Sequence, residues 1–127
     1  MEDFPGFAEQ MRRGDLFATA CPSREVMKHV TSRWGVLTLI ALQDGTLRFS
    51  ALRRRVSGVS ERMLAQTLQW LEGDGLVVRR AFPVVPPHVD YTLTPLGEEA
   101  AMRVAALADW IERAMPAIVE AQQAQAA

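Results

Sequence analysis

A chain of 127 residues, 49% hydrophobic and 23% charged, is one domain's worth of an ordinary globular protein, and no apolar run reaches the roughly 20 residues that span a bilayer. The net charge of −1 argues against a nucleic-acid partner until it is divided along the chain: residues 1–20 hold two Arg against four acids, residues 21–80 ten Lys/Arg against five, and residues 81–127 two Arg against six. Positive charge is therefore confined to the middle of the chain, as a phosphate-binding surface requires, although a solvated charged surface has the same balance.

The opening MEDFPGFAEQMRR lacks a basic start followed by an apolar stretch, so no secretory signal is read and a cytoplasmic location without membrane contact is expected. A single cysteine, Cys21, rules out an internal disulfide and fits a reducing compartment. Residues 1–20 read as an N-terminal arm, in which Phe7, Met11, Leu16 and Phe17 suggest a short amphipathic helix; an arm packing on a partner subunit and a partly frayed tail both fit.

Cys21-Pro22-Ser23 precedes a helix over Arg24 to Arg33, with Val26, Met27 and Val30 at helical spacing. A thiol at a helix N-terminus is stabilised as thiolate by the free amides and the dipole; a small, half-buried, unreactive cysteine is the alternative. The apolar run Trp34 to Leu42 predicts a buried central helix, with Trp34 as a core anchor. Asp44-Gly45 turns the chain, and Leu47-Arg48-Phe49 reads as a short edge strand.

Ser50 is expected to cap a short helix over Ala51 to Val56, with Leu52 and Val56 inward and Arg53, Arg54 and Arg55 outward. Ser57-Gly58-Val59 turns into a second helix capped by Ser60. There Leu64, Leu68 and Leu71 line one face, leaving Arg62, Ala65, Gln66 and Gln69 on the other. Two short helices joined by a glycine-containing turn form a helix-turn-helix. After the stop at Gly73-Asp74-Gly75, strands over Leu76 to Phe82 and Val89 to Leu93 flank the proline-rich loop Pro83 to His88, which makes a wing.

Thr94 and Pro95 begin the last helix as N-cap and first helical residue. Its apolar residues at Val104, Leu107, Ile111, Ala114 and Ile118 alternate spacings of three and four, a seam that can pack on its own domain or, the reading favoured, on a second copy of the chain, and Trp110 and Met115 widen it. Pro116 is expected to kink or end this helix, with the Ala/Gln tail after Glu120 frayed. The fold class expected is mainly α with a small β-hairpin wing (α+β), a winged helix-turn-helix over residues 21–97 with an arm before it and a dimerisation helix and tail over 98–127.

This pattern predicts binding to double-stranded DNA. Arg62 suits guanine O6/N7 and Gln66 suits adenine N6/N7 in the major groove, with Gln69 further along the same face. Ser60, Arg53, Arg54 and Arg55 are expected on phosphates, and Arg79, Arg80 and His88 on the wing's contact with the backbone or minor groove. A winged helix presenting this face to a protein is the alternative. A thiol enzyme is disfavoured because no second cysteine resolves an intermediate, and one cysteine with two surface histidines makes no metal-site spacing, so neither metal nor cofactor is expected.

From Cys21 to Glu98, 78 of 127 residues, the chain closely resembles the HxlR-type winged helix-turn-helix regulators of bacteria. The resemblance rests on Cys21-Pro22, Arg33-Trp34, the Arg48 to Arg54 block, Ser60 to Val77, Pro86 to Tyr91 and Leu93 to Gly97 in order. It implies a homodimer on a pseudo-palindromic operator, most often a repressor. It also implies that Cys21 is a sensor thiol for an electrophile or oxidant, acting through an intersubunit or mixed disulfide or through alkylation. Members often carry Gly-Gly-Lys-Trp where this chain has Thr31-Ser32-Arg33-Trp34, so the angle between the first two helices is expected to differ.

Overall fold

A computed structural model describes residues 15–127. Helices α1 (Pro22–Thr31) and α2 (Arg33–Ala41) lead through a 3-10 turn into β1 (Leu47–Arg48). Helices α3 (Phe49–Arg55) and α4 (Glu61–Gly73) follow, then β2 (Val77–Phe82), β3 (His88–Leu93) and α5 (Pro95–Ala126). The strands form an antiparallel sheet in the order β1-β3-β2. The architecture is the expected α+β winged helix-turn-helix. Among the described residues no helix is long and apolar enough to cross a membrane.

The core gathers where α2, α4 and the start of α5 meet the sheet. Leu39, Leu52, Leu64, Leu68 and Leu71 are fully buried, each stabilising the fold by about 1.5–3 kcal/mol, and Trp34 packs against them half-buried. Gly58, at φ 93°, occupies the left-handed region that a β-carbon disfavours, so the chain can reverse sharply between α3 and α4. Thr94 then ties the wing to α5: its hydroxyl donates to the Gly75 carbonyl at 2.7 Å and accepts from the Gly97 amide at 2.9 Å. A β-carbon at Gly97 would overlap the Leu76 carbonyl, so only glycine lets α5 dock here.

Several boundaries differ from the sequence expectation. Phe49 is the first residue of α3 instead of the last of a strand, because its ring turns inward to pack on Tyr91 at 6.4 Å. Arg48, not Ser50, is then the N-cap, and no side chain caps this helix. Pro116 neither ends α5 nor leaves a frayed tail: the helix runs to Ala126. Proline removes a single backbone hydrogen bond, and the Ala, Glu and Gln that follow are strong helix formers. Leu16 and Phe17 lie exposed in turns and do not form a helix, while Phe7 and Met11 fall outside the described residues.

The Thr31-Ser32 departure from glycine serves the junction itself. The Ser32 hydroxyl donates to the His29 carbonyl at 2.9 Å and accepts from the Gly35 amide at 3.1 Å, closing α1 and capping α2 at once.

Candidate nucleic-acid interface

Helix α4 is the centre of the surface. The Ser60 hydroxyl accepts from the Met63 amide at 3.0 Å, the cap expected from sequence, and Leu64, Leu68 and Leu71 pin the inner face. Arg62 and Gln69 stand exposed and Gln66 half-buried on the outer face. Two members of the helix escaped the sequence reading. Thr67 is buried, its hydroxyl satisfied by the Met63 carbonyl at 2.8 Å, and Met63 joins the outer face partly exposed. The leucine spacing alone gave Thr67 no apolar signal.

Arg53, Arg54 and Arg55 are exposed along α3. Arg53 reaches across the helix-turn-helix to Glu61 at 3.4 Å, an exposed pair worth at most about 1 kcal/mol, which places it beside the N-terminal end of α4. Arg53 and Arg54 thus share one concave surface with Glu61 in the first turn of α4, whereas Arg55 lies beside Leu37 and Ile40 of α2.

The wing is less uniform than its sequence suggests. Arg79 and Arg80 are both exposed, but they pair with Tyr91 and Asp90 respectively, so strand alternation sends them to opposite faces of the sheet. His88 is half-buried, stacked on Phe82 at 4.7 Å with its Nε2 3.9 Å from Asp90 Oδ1. Arg48, which the sequence reading left out of the site, pairs with Asp90 from the other side and therefore shares a face with Arg80. The wing tip is apolar, with Val85 97% exposed.

Two further features lie away from this surface. Cys21 is the half-buried N-cap of α1, with the Ser23 hydroxyl 2.7 Å from its Sγ. That hydrogen bond, helped by nearby backbone amides and opposed by desolvation, holds the thiol pKa below its ordinary value. On α5, Val104 is buried in the chain's own core, whereas Leu107, Trp110, Ile111 and Met115 are exposed and Ala114 and Ile118 half-buried. The uncovered part of the seam therefore begins at Leu107.

His29 departs most from expectation. Read as a surface residue, it is 7% exposed, with Nδ1 2.6 Å from Asp74 Oδ2 and its ring stacked on Trp70.

A capped helix with a polar outer face, an arginine-bearing helix leading into it and a three-stranded wing define a DNA-binding helix-turn-helix protein of the kind that regulates transcription. The family model for HxlR-like helix-turn-helix proteins matches residues 29–119, and the chain belongs to that family. It is 62% identical over 120 residues to the uncharacterized HTH-type transcriptional regulator YtfH of Escherichia coli (strain K12), covering 94% of this chain and 95% of that protein. Among solved structures it is similar to the transcriptional regulator ytfH from Salmonella typhimurium, with a TM-score of 0.84 and 64% identity over 87% of this chain and 98% of that one. The redox regulator HypR in its oxidized form follows at a TM-score of 0.66 and 32% identity, covering 73% of this chain and 96% of that one.

Proposed function

We propose that this regulator acts in the cytoplasm as a homodimeric, sequence-specific repressor on a pseudo-palindromic operator. What supports the reading is the outer face of α4, where Arg62 and Gln69 stand exposed and Gln66 half-buried, with Arg53 of α3 paired to Glu61 in the same helix's first turn. Arg62 and Gln66 read base edges, Gln69 supports them, and Ser60, Arg53, Arg54 and Arg55 set register on phosphates. Arg79, Arg80 and His88 serve the wing, with Arg48 added on the Arg80 side. Two copies join through Leu107, Ile111, Ala114 and Ile118 of α5, an apolar stripe that the described residues leave exposed or half-buried.

Cys21 is the switch. Its lowered pKa raises the thiolate fraction at neutral pH, and HypR, named as a redox regulator, supports the same use here. The thiolate attacks a small disulfide, forming a mixed disulfide and releasing one thiol, or is alkylated by an electrophile.

The test is selection of duplexes from a random-sequence pool by the reduced protein, followed by anisotropy on the selected and a scrambled duplex at several salt concentrations. Preference for the selected duplex, with a salt slope reporting phosphate contacts, is expected. Equal, weak binding to both removes the sequence-specific reading and points the same surface toward a protein partner.

A further inference from the structure

We propose that His29 is a positioning residue of the DNA-binding surface, holding the C-terminal end of the recognition helix α4 against α1; the inference rests on the DNA-reading role of α4. One imidazole makes two contacts with that helix end: Nδ1 lies 2.6 Å from Oδ2 of Asp74, the C-cap, and the ring stacks on Trp70 with centroids 4.8 Å apart and planes 13° from parallel. Both sides of this contact are shielded, with side-chain exposures of 9% and 14%. The charged groups around the ring are Asp74 from α4, Glu25, whose Oε1 is 3.8 Å from Nε2, and Lys28, whose Nζ stands 5.4 Å over Trp70. The His29 carbonyl meanwhile accepts from Ser32, so the same residue anchors the turn between α1 and α2.

Apolar packing through Leu64, Leu68 and Leu71 holds the inner face of α4 on the core. A hydrogen bond and a stacked ring add two directional contacts at its C-terminal end. Leverage makes this matter at the other end. Helix α4 has 13 residues, so a tilt of about 5° about its C-terminus moves its first turn by roughly 1.7 Å. Base-edge hydrogen bonds tolerate only a few tenths of an ångström in the range of about 2.7–3.2 Å. Arg62, in that first turn, thus depends for its aim on a contact at the far end of the helix.

Three variants test this on the selected and scrambled duplexes, each measured well below its Tm. His29→Phe keeps a stacking ring and loses the bond to Asp74. His29→Asn keeps a donor near the Nδ1 position. Asp74→Ala removes the acceptor without altering the buried ring, and carries the test should His29→Phe not fold. We expect His29→Phe and Asp74→Ala to lose roughly tenfold in preference for the selected duplex, comparable to one bidentate base contact, with salt slope and scrambled-duplex affinity unchanged. His29→Asn should retain most of the preference. A fall in Tm with the preference intact shows a merely structural residue and overturns the proposal. Failure of the wild-type protein to prefer any duplex overturns the reading beneath it.

Discussion

Helices α4 and α5 both carry an apolar stripe at helical spacing, and the structure treats them oppositely. In α4 the stripe is closed within the chain, with Leu64, Leu68 and Leu71 inaccessible to water and the polar face free. In α5 the stripe is closed only through Ala101 and Val104; beyond them Leu107 and Trp110 are more than half exposed. Helix α4 is thus positioned by intramolecular packing, whereas among the described residues the distal half of α5 leaves its apolar side exposed. On the proposed reading, α4 offers its polar side to DNA and α5 its apolar side to a second copy.

The sharpest way to break this contrast is a matched pair of truncations. Leu68→Ala should cost about 2–5 kcal/mol in denaturant unfolding, since it empties a fully enclosed site. Leu107→Ala, half exposed already, should cost far less when both are measured at concentrations too low for association. Placing charge on the open stripe with Leu107→Glu and Ile111→Glu should convert dimer to monomer in sedimentation velocity while leaving the helical circular dichroism unchanged. A double variant that stays dimeric with both charges in place moves the interface elsewhere.

Smaller effects sharpen the α4 side. Arg62→Ala should weaken binding to the selected duplex by roughly 1–3 kcal/mol and relax the preference at one position of each half-site. Equal weakening on the scrambled duplex reassigns Arg62 to phosphate. At the N-terminus of α1, Ser23→Ala removes the leading cause of the lowered Cys21 pKa. The pH profile of alkylation by iodoacetamide should then shift upward, because less thiolate is present at a given pH, and the rate at neutral pH should fall. An unmoved profile assigns the lowered pKa to the helix amides instead.

Much of the molecule was legible in one dimension because the signals were local. Ser60 as a cap, Gly58 in the turn, the leucine spacing of α4 and the strand-loop-strand wing each follow from backbone preferences and periodicity within a few residues. Errors arose where a residue's partner lies far along the chain. Phe49 leaves the strand because its ring finds Tyr91, and His29 is buried because Asp74, 45 residues later, comes to meet it. At Pro116 a local rule meets the converse limit: proline disfavours a helix interior, yet α5 continues past it to Ala126.

The amino-acid order by itself determined the succession of helices and strands, the confinement of positive charge to the middle of the chain and the polar composition of the reading face, since these depend on short-range propensity and on counting. Only the tertiary structure decided which apolar stripe is closed, on which face of the wing each arginine stands, and that one histidine clasps the end of the reading helix. Burial, strand register and the pairing of His29 with Asp74 are relations between distant segments, and they take definite values only when packing brings those segments together.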